Sequence, residues 1–163
     1  MKPIPLKHVR VTLTPTEIAM IVNVCNQRDE ANRNANVKDV KMGKDEDSVQ
    51  IMVQGLIAEY AFCKRFNLFC DLSSEPRSGT YDIKSRDGKR IDIKSTRRRN
   101  GNLVRTLKEN PDVDIYVLAI VHSFSDIQFI GWIEKENFII PENITDLGHG
   151  ETYFLDKKYL KMF

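Results

Sequence analysis

The chain has 163 residues, of which 41% are hydrophobic and 29% charged, and its formal net charge is +2. These values suit one domain with a buried core, and so small a net charge argues against wholesale electrostatic capture of a polyanion. The sequence has no apolar run long enough to span a membrane, and its N-terminus lacks the apolar region of a secretory signal. We therefore expect a cytoplasmic protein without membrane association.

Cysteine and histidine form neither a disulfide pattern nor a metal-binding pattern. The three cysteines are odd in number and contain no CxxC pair, and the three histidines are scattered. We therefore expect reduced cysteines in the core and no histidine-bound metal.

The first predicted helix begins at a capping box. Thr14 can cap the helix and Glu17 completes the box, while Pro15 suits the first turn. We expect this helix to end at about Arg28.

Residues 29–46, rich in Asn, Asp, Lys and Gly, predict a flexible loop. One domain is thus expected, with three parts: a helical region (1–28), this loop (29–46) and a core (47–163).

The second predicted helix runs from Asp47 to Phe66 and is apolar nearly all the way round, so we expect it to be buried. Glu59 interrupts its apolar surface. A buried carboxylate is costly unless it meets a cation or a hydrogen-bond partner. Glu59 is therefore a candidate metal ligand, and the alternative is that its side chain reaches solvent at a helix edge.

Two short segments, 81–84 and 90–94, alternate apolar and polar residues and predict a β-hairpin. On strands with a period of two, the isoleucines face one way, and Asp82, Asp92 and Lys94 face the other. The charged side chains therefore converge on one face of the hairpin.

The turn determines which residues of the hairpin lie opposite each other. A three-residue loop that ends at Gly88, in the left-handed conformation, pairs Ile83 with Ile91. Asp82 then lies opposite Asp92. Carboxylates at that spacing, about 4.5–5.5 Å between Cβ atoms, can share a divalent cation.

This order of residues resembles the PD-(D/E)xK nuclease superfamily, whose pattern is a helix with a Glu, then a hairpin with an Asp and an acid-x-Lys element. Glu59 matches the helix position, Asp82 the first strand position, and residues 92–94 the acid-x-Lys element. The resemblance covers about residues 47–133. It implies an α/β fold, in which a mixed central β-sheet is flanked by helices as a restriction-endonuclease-like core. Thr80-Tyr81 stands where the family name has a proline, and the second acid is Asp instead of the commoner Glu.

The resemblance also implies a nuclease that hydrolyses phosphodiester bonds with Mg²⁺, which Mn²⁺ could replace. Its metal ligands would be Glu59, Asp82, Asp92 and the main-chain carbonyl of Ile93. Lys94 would orient the attacking water or stabilise the negative charge of the transition state. The alternative is an Asp-x-Lys sequence on a solvated strand with no catalytic role.

Basic residues are concentrated around the predicted hairpin. The run 97–99 could be a solvated charge cluster or a targeting signal, but it could also contact phosphates. We expect a nucleic-acid-binding rim made of Arg77, Lys84, Arg97, Arg98 and Arg99, with Arg105 and Lys108 following.

The expected activity is that of a DNA endonuclease, with DNA as the substrate because most enzymes with this resemblance cut DNA. The alternatives are an RNA endonuclease and a catalytically silent nucleic-acid-binding module of the same fold. A small nuclease of this type often works as a dimer to cut two strands, so the chain could form a homodimer.

The remaining predicted elements follow the hairpin in chain order. Phe129 and Trp132 are assigned to core packing. The elements are a short helix over 103–110, a buried strand over 114–121, a strand over 127–133, a helical turn over 134–138 and a last strand over 152–155.

Overall fold

A computed structural model describes the protein over residues 9–35, 48–75 and 80–163. No helix in these ranges has the length and apolar character needed to cross a membrane. The helices and strands are β1 (Val9–Thr12), α1 (Pro15–Asn34), α2 (Ser48–Phe66), β2 (Ile83–Lys84), β3 (Arg90–Thr96), β4 (Leu103–Thr106), β5 (Ile115–Ser123), β6 (Asp126–Glu134), α3 (Lys135–Phe138), β7 (Ile144–Asp146) and β8 (Glu151–Leu155). Short 3-10 helices occupy Pro141–Asn143 and Lys157–Tyr159.

The strands form two sheets. The five-stranded sheet has the order β1-β6-β5-β3-β2, and the three-stranded sheet has the order β4-β8-β7. In the larger sheet β3 and β5 are parallel, and the other neighbouring strands are antiparallel. The prediction of an α/β fold with a mixed central sheet is therefore confirmed.

The five-stranded sheet has a different cover on each face. One face packs against α1 and α2, in a core that includes Ile57, Phe62 and Ile91. The other face packs against α3 and the three-stranded sheet, in a second core that includes Tyr116 and Phe138. A residue on the central sheet is therefore directed either to the long helices or to the smaller sheet.

Helix α1 begins at the capping box that the sequence predicts. The Glu17 amide donates to Thr14 Oγ1 (3.2 Å), and the Thr14 amide donates to Glu17 Oε2 (2.8 Å). The helix continues to Asn34, so the predicted end at Arg28 was wrong. The predicted loop 29–46 therefore begins too early, and its part from residue 36 onward lies outside the described residues.

Specific partners hold the polar residues at the end of α1. The Arg28 guanidinium is 5% exposed and donates to the main-chain carbonyls of Asp71 (2.7 Å) and Ser73 (2.8 Å). Arg33 pairs with Asp29, one turn earlier, at 2.8 Å. These contacts favour a helix where composition alone predicts a loop.

Residues 103–110 contain a strand instead of the predicted helix. Leu103 and Arg105 are buried and the residue after each is exposed, which is the period of a strand. Strand β4 pairs with β8, so that Leu103 lies opposite Leu155. Pairing with a distant strand has outweighed the local preference. The predictions of β5, β6, β8 and the helical turn α3 are confirmed.

The C-terminal segment pairs with β6 beside a glycine. The Trp132 amide donates to the Lys161 carbonyl (2.9 Å), and the Lys161 amide donates to the Trp132 carbonyl (2.8 Å). A Cβ at Gly131 would lie 2.5 Å from the Lys161 oxygen and 2.8 Å from the Cβ of Leu160. A side chain at this position would therefore force the two segments apart.

We expect Gly131→Ala to lower the free energy of unfolding by about 1–3 kcal/mol, because the added methyl group overlaps main-chain atoms. Gly55→Ala is the control, since a Cβ there meets no atom within 4 Å. Alanine in this helical position should stabilise the protein by about 0.5–1 kcal/mol. Urea unfolding measures both effects, and equal stability of the two variants would contradict the close approach.

Candidate functional site

The hairpin has the register that the sequence predicts. Ile83 pairs with Ile91, and the Ser85 amide donates to the Lys89 carbonyl at 2.8 Å. Gly88 has a φ of 86°, which is the left-handed conformation that a three-residue loop requires. The turn therefore directs the two strands as expected. Strand β2 is only two residues long, however, and the Asp82 amide donates to the Ile91 carbonyl, so the predicted pairing of Asp82 directly opposite Asp92 is not part of the ladder.

The Asp82 side chain accepts a hydrogen bond that the main chain of a longer β2 would accept. If the ladder continued, the Ile93 amide would pair with Tyr81, but it donates to Asp82 Oδ2 at 2.8 Å. The N–H and C=O of one strand residue point to the same side. The carbonyl of Ile93 therefore faces the same open edge as the Asp82 carboxylate.

Asp92 and Lys94 lie on the face of β3 that points away from α1 and α2. In the parallel register Asp92 pairs with Tyr116 and Lys94 pairs with Leu118, and both partners belong to the second core. The Asp92 side chain is only 8% exposed, and its Oδ1 is 2.9 Å from Lys94 Nζ. This ion pair stabilises a carboxylate that would otherwise be buried without a cation.

Asp82, Asp92 and Lys94 line one open cleft of about 490 Å³. Its other wall is the segment that runs from β4 toward β5. The side chains that line the rest of the cleft include Thr80, Arg105, Thr106, Lys108, Glu109 and Asn110. The cleft therefore has acidic and basic groups on both of its walls.

Hydrogen bonds link the two walls of the cleft. Thr80 Oγ1 donates to Asp112 Oδ2 at 2.6 Å, and the Asn110 side-chain amide donates to the Thr80 carbonyl. Lys135 Nζ donates to the Asn110 carbonyl at 3.0 Å. The segment before the hairpin is thus tied to the segment between β4 and β5, which fixes the separation of the two walls.

Glu59 is buried, as predicted, but it lines a different cavity. It is 6% exposed and faces a pocket of about 160 Å³ between α1 and α2, together with Arg28 and Asn32. Helix α2 packs on the sheet face of Ile91, whereas Asp92 is on the opposite face. The structure therefore does not bring Glu59 into the cleft of the two strand acids.

The Cys63 thiol is affected by the charges of both Glu59 and Asp82. Its pKa is raised, first by a hydrogen bond with Cys70, then by burial and by the negative charges of Glu59 and Asp82. The two carboxylates therefore act on one thiol from the helix side and from the strand side. This thiol stays protonated at neutral pH.

The two strand carboxylates suit a hard divalent cation. In the ranges that the structure describes, no three His, Cys, Asp or Glu side chains are grouped closely enough to hold a metal ion. Mg²⁺, however, is usually bound through one or two carboxylates, with water and substrate phosphate as the other ligands. Asp82 and Asp92, with the carbonyl of Ile93 beside them, fit that kind of site.

The described residues of the predicted basic rim are exposed and do not line the cleft. Lys84 and residues 97–99 are all exposed, and none of them is among the described residues that line the cleft. The Arg97 guanidinium lies 5.5 Å from the centre of the Phe124 ring. Arg77 lies outside the described residues.

Arg105, which the sequence analysis names only among the basic residues that follow the predicted rim, lines the cleft itself. It is 9% exposed, its guanidinium lies 5.5 Å from the centre of the Tyr116 ring, and its Nη2 donates to the Lys108 carbonyl. The predicted helix over residues 103–110 did not place the Arg105 side chain in the cleft. The signal was present in the alternation of Leu103 and Arg105, which puts an arginine on the buried face of a strand.

Taken together, the fold and the cleft define a mixed α/β protein with two acids and a lysine at the edge of its central sheet. Residues 2–129 match the model of DUF5843, a family of unknown function, and the chain belongs to this family. The match includes every residue of the candidate site. No curated protein and no solved structure matches the chain.

Tyr116 has a buried hydroxyl beside the site. Among the described residues its Oη has no hydrogen-bond partner. Burial raises the pKa of Tyr116 to about 12, and the charge of Asp92 adds to the rise while Arg105 opposes it. The phenol is therefore held neutral next to the Asp92 carboxylate.

We expect Tyr116→Phe to raise the free energy of unfolding by about 1 kcal/mol, because it removes a buried hydroxyl without a partner. The gain should grow between pH 10 and about 12, since an unfolded tyrosine ionises in that range while Tyr116 stays neutral. Denaturant unfolding at neutral and alkaline pH measures both effects. A loss of stability would show that the hydroxyl is hydrogen-bonded.

Proposed function

We propose that the protein is a Mg²⁺-dependent nuclease that hydrolyses phosphodiester bonds, with DNA as its substrate. The observation that carries the proposal is the Asp92–Lys94 ion pair beside Asp82 in one open cleft. An acid and a lysine two residues apart on one strand face, with a second acid across the hairpin, is the arrangement of the PD-(D/E)xK superfamily that the sequence resembles. Membership of that superfamily is part of the proposal.

In this proposal Asp82 and Asp92 hold the cation, and the Ile93 carbonyl contributes a third oxygen. When bound, Mg²⁺ supplies the positive charge that a phosphodiester needs during in-line attack by water. The Ile93 amide orients Asp82 through its hydrogen bond of 2.8 Å. The chain thus provides a carboxylate that a main-chain group already holds in position.

Lys94 acts on the water or on the phosphate in this proposal. Its Nζ is 2.9 Å from Asp92 Oδ1, and its side chain is 35% exposed, so the ammonium reaches the open cleft. It donates a hydrogen bond where negative charge increases in the transition state, or it orients the attacking water. Arginine would not replace it in the second role, since a guanidinium hardly deprotonates.

Glu59 contributes less to this proposal than the resemblance implies. Its carboxylate lines the pocket between α1 and α2, with the sheet between it and Asp92. We therefore assign the cation to the two strand carboxylates. The effect of Glu59→Gln on cleavage tests this assignment directly.

A nucleic-acid-binding module of the same fold that does not cleave is the second candidate. It is favoured by the position of Glu59, which lines the pocket between α1 and α2 and not the cleft of Asp82 and Asp92, so that the cleft has fewer carboxylates than the resemblance implies. An RNA endonuclease differs from the main proposal in substrate alone. Assays on RNA beside DNA discriminate between these candidates.

We expect the purified protein to cut DNA with Mg²⁺ or Mn²⁺ and not with EDTA. Asp92→Asn and Lys94→Ala should each lower the rate by about 10²–10⁴-fold, because each removes a group that acts on the reacting phosphate or water. Glu59→Gln should lower it by less. Circular and linear, single- and double-stranded DNA are the substrates, with structured and single-stranded RNA in parallel.

The matched controls lie on the same hairpin. Asp87→Asn and Lys89→Ala change the same residue types at exposed positions of the turn, and they should retain the wild-type rate. Cutting without a metal ion would refute the proposal, and so would cutting by Asp92→Asn and Lys94→Ala at the wild-type rate. Cutting of RNA alone would change the substrate assignment.

We expect saturating Mn²⁺ to raise the melting temperature of the wild type by about 5 °C, as a ligand well above its dissociation constant does for a chain of this size. Asp92→Asn should lose this shift. Lys94→Ala should show a larger one, because the cation replaces the ammonium beside the buried carboxylate. Differential scanning calorimetry measures all three proteins, and no shift in the wild type would exclude the metal site.

A further inference from the structure

Arg105 is a buried cation with few partners in the protein. It is 9% exposed, and Nη2 donates to the Lys108 carbonyl. A guanidinium has five N–H donors. Within the described residues no carboxylate forms an ion pair with Arg105, whereas Arg10, Arg33 and Arg90 each pair with an aspartate. Among the described residues its charge therefore has no fixed counter-ion, and Arg105 lines the cleft.

The position of Arg105 complements the two strand acids. Arg105 belongs to β4, on one wall of the cleft, while Asp92 and Lys94 belong to β3, on the other wall. Lys108 adds a second positive charge on the Arg105 wall. Glu109 also lies on this wall, so an anionic chain in the cleft would meet two cations and one acid opposite Asp82 and Asp92.

We propose that Arg105 binds a phosphate of the nucleic-acid strand, so that the strand lies in the cleft between β3 and β4. This inference rests on the proposed nuclease function and identifies a substrate contact that the acid-x-Lys pattern does not include. The planar guanidinium can donate two parallel hydrogen bonds to phosphate oxygens. Arg105 thus determines where the strand runs relative to Asp92.

The protein holds Arg105 ready for such a contact. The guanidinium stacks over the Tyr116 ring, and the Thr152 hydroxyl donates to the Arg105 carbonyl. In the smaller sheet Arg105 lies opposite Tyr153. Since the side chain and main chain are both fixed, little conformational entropy is lost when a phosphate binds.

The acids of the cleft should make the effect of Arg105 on binding depend on whether a divalent cation is present. Without a divalent cation, Asp82 and Asp92 repel a phosphate, so Arg105 and its neighbours must offset that repulsion. With Ca²⁺ bound by the acids, the repulsion decreases. Arg105 is therefore expected to matter more for binding in EDTA than in Ca²⁺.

The experiment measures binding of fluorescein-labelled DNA, single- and double-stranded, by anisotropy in EDTA and in Ca²⁺ at several salt concentrations. Arg105→Gln should weaken binding about tenfold or more, as expected for loss of a charge-assisted contact. It should also reduce the slope of log K against log salt by about 0.9 for duplex or 0.7 for single strands. Both changes should be larger in EDTA.

Arg65→Gln is the matched control. Arg65 also lies over an aromatic ring, that of Phe66 at 5.4 Å, but it is exposed on α2 and not among the described residues of the cleft. Its loss removes the same charge and should change affinity by less than twofold, about 0.4 kcal/mol. An equal effect of the two variants would show that only net charge matters, and would overturn the inference.

A second variant keeps the inference testable if Arg105→Gln does not fold, which thermal melting would detect. Arg105→Lys retains the charge and loses the paired hydrogen bonds, so the salt slope should persist while affinity falls about threefold. Affinity equal to that of the wild type overturns the inference. If the wild type cuts DNA and no Arg105 variant alters binding, only this inference fails. If the wild type neither binds nor cuts any nucleic acid, the proposed function fails with it.

Discussion

The alternation of side chains along β3 is the constraint on which both halves of the molecule depend. Ile91 and Ile93 enter the core beneath α2, so Asp92 and Lys94 must point to the other face. A shift of the strand by one residue would bury the charges under the helix and expose the isoleucines in the cleft. Core packing therefore maintains the geometry of the candidate site.

An ion pair at the start of β3 fixes that register. The amide, Nε and Nη2 of Arg90 donate to the Asp114 carboxylate at 2.9–3.0 Å, and the Asp114 amide donates to the Arg90 carbonyl at 2.8 Å. Arg90 holds the pKa of Asp114 well below its usual value. The pair's contribution is therefore fully present above the ordinary pKa of an aspartate, and it decreases progressively as the pH falls from that value toward the lowered pKa of Asp114.

Local patterns were sufficient where both partners are close in the sequence. The capping box of Thr14 and the turn at Gly88 depend on neighbours within a few residues, and both were predicted correctly. Strand β4 was missed because its partner, β8, lies far along the chain. The end of α1 was missed because Arg28 finds its carbonyl partners beyond α2.

The candidate site shows the same division. The sequence indicated that Glu59 is buried and that Asp92 and Lys94 share a face. It did not indicate that α2 covers the isoleucine face of the sheet, because the residues of a helix do not specify which side of a sheet the helix covers. With α2 on that side, the sheet lies between Glu59 and Asp92. The position of Arg105 in the cleft was not predicted because it depends on β4 being a strand.

The pairing of β4 with β8 makes the two walls of the cleft depend on different stretches of the chain. Asp82, Asp92 and Lys94 are held by the hairpin and by its neighbours in the five-stranded sheet, all of which lie before residue 135. The Arg105 wall belongs to the smaller sheet and depends on residues 151–155, which lie beyond the family match that ends at residue 129. A change in β8 would therefore act first on the Arg105 wall, while the strand that carries Asp92 and Lys94 keeps its own partners.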